Sequence, residues 1–524
     1  MKKSFMIHLF LFALYPVFFL FAQNIEQMLF ADILLPTAVV ICGTILLFLL
    51  VNMVFRDERK AALLVSICLL LIFSYGYVFE VIRGWRVGSL VIGRWRYLLL
   101  AWGIIFMGGT FFIIKMQNSL RNITSMANVI GIVLITMPLV KIGMYSVTKG
   151  WTGDVGIQKG AISSVPNTSV DTTALPDIYY IILDRYGGLD TLRQRYDFDN
   201  SVFVDYLSQK GFYVATESTA NYLKSSHSIA SSLNMGFLNH LSEEIGEKSD
   251  NWIPLYKMVQ DYPIWRFLRE RGYTYIHLGS WWGATSRNKY ADVNINLYPF
   301  SEFAMCLYET TVFRPLIGNR MNGIFNKRLL QWKRVLYKFD KLAEIPDIKE
   351  PTFVFAHMLI PHWPYVFDRE GNFRSREEAL KIQNDEKYID QLIFTNTKVR
   401  MLIDTLLADS ERPPIIVIQS DEGPDPLSRG KKGFTWQRAT KNDLREKFKI
   451  LNAYYLPDVD TSILYPSITP VNSFRLIFNL YFRAQLELLP DESYIYADDL
   501  HIYKFINITD KISIHVMSNS IQDL

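Results

Sequence analysis

Five short segments hold the residue types that ester chemistry needs. In Pro176–Gly188, PDIYYIILDRYGG, an apolar run stops on Asp184 and is followed by Arg185, Tyr186 and a Gly-Gly pair. Residues 414–425, PIIVIQSDEGPD, repeat the pattern: an apolar run, then Ser420, Asp421, Glu422 and Asp425. Crowded carboxylates repel one another unless a cation or a proton sits among them. Oxygen ligands of this kind favour hard cations such as Mg²⁺, Mn²⁺ or Ca²⁺ over Zn²⁺. The third segment, NYLKSSHS at Asn221–Ser228, is a hydroxyl-rich helix start. Its serines are either caps or a nucleophile whose alkoxide a metal would stabilise. In HMLIPHWP, His357 and His362 are candidate acid/base groups, phosphate donors or metal ligands. In HLGSWWGATSRN, starting at His277, Arg287 is a candidate phosphate clamp and Trp281 or Trp282 a pocket wall.

These segments need a scaffold that brings strand ends together. Apolar runs at 178–184, 274–278, 352–360, 414–419 and 449–455 alternate with helical patterns at 201–210, 262–271, 327–344, 376–408 and 471–482. Alternation of this kind predicts a mainly parallel sheet sandwiched by helices. In such sheets ligands bind beyond the carboxyl ends of the strands, where Asp184 and Asp421 would lie. The tail Ser493–Ile514 is expected to add one or two edge strands.

The chain has 524 residues, half of them hydrophobic, and the apolar weight is concentrated before residue 146. Five stretches, Ser4–Ala22, Leu35–Phe55, Ala61–Phe79, Tyr97–Ile114 and Ile123–Tyr145, are expected to span a membrane. A cleaved leader is the alternative for the first. Lys2, Lys3, Arg56, Arg59, Lys60, Lys115 and Arg121 share one side, which the positive-inside rule makes cytoplasmic. An odd number of spans then puts the C-terminal part outside. The loop Glu80–Arg96 dissents, with Arg83, Arg86, Arg94 and Arg96 beside Trp85 and Trp95 on the outer side. It reads as an interfacial anchor or as a docking surface for anionic lipid. The expected organisation is a five-helix transmembrane domain at 1–145, a linker at 146–175 and an extracytoplasmic domain at 176–524. Net charge is +4 without a dense Lys/Arg stripe, which argues against a nucleic-acid partner. Only Cys306 of the three cysteines follows the apolar section, so a disulfide framework there is excluded.

Taken together, a strand ending in an acid, a hydroxyl-rich helix start, a His before Pro and a strand ending in Ser-Asp-x-Gly resemble the alkaline phosphatase/sulfatase superfamily. With five spans in front, the chain is similar to its membrane-anchored branch, the lipoteichoic acid synthases and phosphoethanolamine transferases. The resemblance implies that Asp184, Ser225, Asp421 and Glu422 bind a divalent metal and that Ser225 is the nucleophile, with Ser226 and Ser228 as alternatives. It implies substrate contacts from His362, His357, Arg287, Trp282 and His277. The family's Asp-His-Gly is Asp421-Glu422-Gly423 here, an all-oxygen set that would favour Mn²⁺ or Mg²⁺ over Zn²⁺. Sulfatases proper need Cys or Ser in a C/S-x-P-x-R setting, which neither Cys306 nor Ser225 has, so sulfate-ester hydrolysis is not expected. The implied activity moves a phosphoglycerol or phosphoethanolamine headgroup from a membrane phospholipid donor to an envelope glycan or lipid acceptor. The implied location is the inner (cytoplasmic) membrane of a bacterium, with the C-terminal domain on its periplasmic or extracellular side. A degenerate envelope protein of the same fold and a phosphodiester hydrolase are the alternatives.

Overall fold

The computed structural model describes residues 5–116, 120–149, 175–297, 300–317 and 325–513. Two compact units divide the chain: Met1–Gly153 with Phe300–Lys327, and Asp154–Pro299 with Arg328–Leu524.

The first unit contains α1 (His8–Gln23), α2 (Leu34–Phe55), α3 (Glu58–Ile82), α4 (Trp95–Lys115) and α5 (Leu120–Lys149). The expected five helices are there, and α2 to α5 are each long and apolar enough to cross a bilayer. α1 is shorter, at 16 residues. Its start is tied to its neighbours: His8 Nδ1 meets Ser66 Oγ of α3 at 2.7 Å, and its backbone N–H donates to Asn128 Oδ1 of α5 at 2.9 Å. Arg56, at φ 52°, ends α2, and Asp57 caps α3 by accepting from the N–H groups of Arg59 and Lys60. α5 runs on past residue 145, and residues 150–174 of the expected linker lie outside the described residues.

Residues 300–317 were expected in the exported domain, yet they group with the helices of the first unit. The short helix Glu302–Glu309 buries Phe303 and Leu307 among Phe21, Ile25, Ile33 and Ile142. Beyond it the backbone enters the hydrogen-bond ladder of α3. Gly76 N–H donates to the Thr310 carbonyl at 2.7 Å, and Val312 N–H donates to the Ile72 carbonyl at 2.9 Å. A Cβ on Gly76 would come within 2.5 Å of Thr310 Cα, so the approach requires glycine.

The second unit is built on seven strands: β3 (Ile178–Leu183), β4 (Tyr213–Val214), β5 (Thr274–Leu278), β6 (Val293–Ile295), β7 (Thr352–Met358), β8 (Ile415–Gln419) and β9 (Asn452–Tyr455). Their order is β4-β9-β8-β3-β7-β5-β6. The run from β8 to β6 is parallel, while β9 and β4 add antiparallel at one edge. Every residue of β3, β7 and β8 is buried. Successive side chains point to opposite faces, so Tyr180 and Ile182 join one core with Phe355 and Phe474, and Tyr179 and Ile181 join another with Val354 and Leu402. This two-sided burial is why these strands read as unbroken apolar runs.

The tail departs from expectation. Tyr494–Tyr496 and Phe505–Asn507 pair with each other as a separate antiparallel hairpin and do not extend the seven-stranded sheet. Their rings pack on Tyr222, just ahead of the helix Ser225–Asn234, and on His227 within it, which joins the hairpin to the core that holds Tyr180 and Phe474.

Candidate active site

The strand register gathers the chemistry. Ile182 of β3 lies opposite both His357 of β7 and Gln419 of β8. Asp184 and Asp421 each follow their paired position by two residues, so both carboxylates emerge at one sheet edge beside the imidazole. Ligand atoms of Asp184, His357 and Asp421 all lie within 4.8 Å of one another. His357 Nε2 is 3.6 Å from Asp184 Oδ2. All three side chains are buried, and Asp184 Oδ1, His357 Nε2 and Asp421 Oδ2 have no hydrogen-bond partner. Ser225, half-buried at the first position of its helix, sets its hydroxyl against the Asp421 carboxylate.

Buried polar atoms without partners are costly, and here three of them converge. Burial, and then the charges of Asp184 and Glu422, push the Asp421 carboxyl well above its usual range. Burial works the same way on Asp184, but His362, His357 and Arg185 hold it well below the ordinary carboxylate value. Burial also depresses His357, against the pull of Asp184. One carboxylate ionised, one strained towards its proton and a neutral imidazole form a set that a divalent cation satisfies at once. The residues fit a metal, and Asp184, His357 and Asp421, with Ser225 beside them, would hold it.

Glu422 lies outside that group. Its Oε1 accepts from Arg185 Nε at 3.0 Å and from Lys447 Nζ at 2.8 Å. The same two cations reach Asp425, at 2.8 and 3.1 Å. The extra carboxylates of SDEGPD are therefore paired with Arg185 and Lys447, which offset the negative charge that Glu422 and Asp425 bring to the neighbourhood of Asp421. Two backbone features permit this. Arg185 adopts φ 62°, which turns its side chain back under the strand end. Gly423 donates to the Lys447 carbonyl at 2.7 Å, and a Cβ there would sit 2.4 Å from Glu446 O. The glycine thus lets the helix Lys441–Phe448 approach closely enough for Lys447 to enter.

The other expected residues divide. His362 lies near enough to Asp184 for their charges to interact, and its ring contacts the Trp363 carbonyl. Trp282 stands edge-on to His357, with ring centroids 5.8 Å apart. His277 is instead inside the core: its Nε2 faces the Thr285 carbonyl at 3.0 Å and its ring stacks on Phe355. Arg287 is exposed, and its carbonyl accepts from Gln260. Ser226 and Ser228 are buried, and Ser228 Oγ donates to the Tyr222 carbonyl at 2.9 Å.

Four residues were not singled out from the sequence as parts of the site. Arg185 and Lys447 are the counter-charges described above. Lys224 precedes Ser225, and burial pushes its ammonium down to about 8. Thr285 Oγ1 lies 3.0 Å from His357 Nδ1 and 2.8 Å from Ser280 Oγ. With Thr285 donating to Ser280, His357 Nδ1–H donates to Thr285, and the Nε2 lone pair is left facing the two carboxylates. Removing such an orienting partner typically lowers metal affinity 10- to 100-fold. Thr285→Val is expected to weaken Mn²⁺ or Zn²⁺ binding by about that factor, read by competition with a chromogenic chelator. Unchanged affinity would mean that Thr285 does not set the tautomer. Only Arg185 carried a sequence signal, its position directly after the strand-ending acid.

Fold and site together define an α/β domain that sets a buried Asp–His–Asp group, with the ligand atoms and spacing a metal would need, against a serine at a helix start. Residues 198–447 match the family described as Sulfatase. The chain thus joins a region similar to the sulfatase family to apolar helices, four of which, among the described residues, are long and apolar enough to cross a membrane. Similar solved structures include the C-terminal periplasmic domain of EcEptC from Escherichia coli, at 12% identity over 66% of this chain and 95% of that one, with a TM-score of 0.43. The integral membrane lipooligosaccharide phosphoethanolamine transferase A from Neisseria meningitidis aligns over 94% of this chain and 97% of its own, at 12% identity and a TM-score of 0.37. A putative sulfatase, yidJ, from Bacteroides fragilis aligns over 62% and 82%, at 14% identity and a TM-score of 0.38. No curated protein matches the sequence.

Proposed function

We propose that the chain is a transferase of the bacterial inner membrane. It moves a phosphoglycerol- or phosphoethanolamine-type headgroup from a phospholipid donor to an envelope glycan or lipid on the periplasmic or extracellular side. The observation that carries this reading is the meeting of Asp184, His357 and Asp421 beside Ser225, with an unpartnered buried atom on each of the three. Four long apolar helices support it by confining the site to the donor's own membrane.

Ser225 Oγ attacks phosphorus, the bond from phosphorus to the diacylglycerol oxygen breaks, and that oxygen leaves with a proton. The headgroup remains esterified to Ser225. An acceptor hydroxyl then attacks the same phosphorus and frees Ser225. Asp184, His357 and Asp421, with Ser225 beside them, would hold a divalent cation, which when bound would supply Lewis-acid chemistry at this position. Lys224, next to the nucleophile, offers positive charge to those oxygens, and His362 is the candidate donor of the leaving group's proton. The expectation of Mn²⁺ or Mg²⁺ over Zn²⁺ rested on Glu422 as an oxygen ligand. With the imidazole of His357 in the set instead, Zn²⁺ and Mn²⁺ both suit it.

The test is mass spectrometry of the full-length chain, loaded with Mn²⁺ or Zn²⁺ and incubated with phosphatidylglycerol or phosphatidylethanolamine. A phosphorus-containing adduct on the Ser225 peptide is the expected result. Diacylglycerol release with no adduct on any serine of Asn221–Ser228 would overturn the covalent route. Product appearing only as free headgroup, with envelope acceptors supplied, would make the protein a hydrolase.

A further inference from the structure

The loop that breaks the positive-inside pattern is a built surface. From the end of α3, residues 83–94 form a tight hairpin with β1 (Arg86–Val87) paired to β2 (Leu90–Val91) before α4 begins. Its neck is closed by the Trp85 carbonyl, which accepts from Ile92 N–H at 3.0 Å and Gly93 N–H at 3.2 Å. Gly93 packs so closely that a Cβ would lie 2.0 Å from the Ile82 carbonyl oxygen, and Gly88 turns the tip at φ 59°. Tyr75 Oη fixes the start of α4 by donating to the Trp95 carbonyl at 2.7 Å.

Charge on this hairpin is one-sided. Arg83, Arg86, Arg94 and Arg96 are all exposed, as is Trp85. The acid that pairs here, Glu80, is already shared by Arg83 at 3.4 Å and by Arg314 of the inserted segment at 3.1 Å. Among the described residues, Arg86, Arg94 and Arg96 have no acidic partner. Because the hairpin joins two membrane-crossing helices, its arginines are held at headgroup depth, where an indole also partitions. Arg in this setting meets phosphate through paired N–H donors.

We propose that the 83–96 hairpin is a binding site for anionic phospholipid headgroups, separate from the Asp184–His357–Asp421 centre. A phosphodiester with a net negative charge matches the three unpaired arginines, whereas a zwitterionic choline headgroup carries its own counter-charge. Basic residues at a membrane surface each favour anionic lipid by roughly fivefold. Three such factors would multiply to about a hundredfold if each arginine acted independently, and their sharing of a single headgroup sets the expected preference at about tenfold or more.

The experiment uses the full-length chain in neutral detergent, treated with EDTA so that metal-dependent binding at the ester site does not contribute. Short-chain phosphatidylglycerol and phosphatidylcholine are titrated separately and retained lipid is counted by native mass spectrometry. Wild type is expected to hold phosphatidylglycerol about tenfold more tightly. Changing Arg83, Arg86, Arg94 and Arg96 together to Gln should abolish the difference, while Lys at the same positions should keep most of it. Should the quadruple Gln variant melt below wild type, the pair Arg94→Gln/Arg96→Gln takes its place and should lose at least half of the preference on a logarithmic scale. Equal retention of the two lipids by wild type, or an undiminished preference in a normally melting Gln variant, would overturn the proposal. Displacement of the lipid by millimolar glycerol phosphate with equal affinity would also overturn it, because the site would then be one for free phosphate esters.

Discussion

Replacing Ser225 by alanine is expected to lower headgroup transfer by about three orders of magnitude or more, with the melting temperature unchanged and metal still retained by Asp184, His357 and Asp421. The size of the effect follows from geometry. Ser225 is the half-buried hydroxyl at the helix start that lies against Asp421, and the N-cap position belongs to Lys224, so replacing Ser225 removes no capping residue. Neither neighbour is free to take over: Ser226 is only 7% exposed, and Ser228, at 1%, is bonded to the Tyr222 carbonyl. Ser225→Thr, which keeps the hydroxyl, should retain a measurable rate. The assay is diacylglycerol release from phosphatidylglycerol or phosphatidylethanolamine in mixed micelles. A Ser225→Ala protein turning over at the wild-type rate would remove Ser225 from the chemistry altogether.

The second large effect is on stability. Lys447 is fully buried and carries the charge that offsets Glu422 and part of Asp425. Removing one partner of a buried pair strands the other charge, at a typical cost of about 3–5 kcal/mol. Lys447→Met is expected to lose about that much, seen as a lower denaturant midpoint for the second unit. Arg185 then faces Glu422 without Lys447, while Asp425 keeps Arg185 and Arg429. Adding Glu422→Gln to Lys447→Met should recover much of the loss, since the stranded charge is gone. If the double variant is no more stable than the single one, the pairing does not carry the effect. Glu422→Gln alone leaves Lys447 with Asp425 at 3.1 Å and should be milder than Lys447→Met.

The sheet was legible because its central strands are buried on both faces, so β3, β7 and β8 appear in the sequence as apolar runs with abrupt polar ends. Asp184 and Asp421 stood out for the same reason, each the first acid beyond such a run. His357 was visible as a histidine at a strand end, but its partnership with the two carboxylates depends on the register of β3 against β7, which no local pattern encodes. Glu422 illustrates the converse. Its neighbour Asp421 made it look like a ligand, while its actual partners are Arg185, two residues past β3, and a lysine 25 positions on, brought in by Gly423. The segment around Glu302–Glu309 is amphipathic, yet composition alone cannot say which core its apolar face enters. The hairpin at the chain's end escaped for a similar reason: a short Tyr-rich run fits an edge strand and an independent ribbon equally well.

The excursion of residues 300–327 into the first unit alters what severing the chain would do. The polypeptide passes between the two units at 153/154, at 299/300 and again at 327/328. A protease nick anywhere in 150–174 would therefore leave the later fragment held by packing alone, through Phe303 and Leu307 of its 300–317 segment seated among the helices of the first unit. Conversely, a secreted fragment starting at residue 175 would carry Phe303 and Leu307 without the helices that bury them, and would need that loop excised to stay in solution.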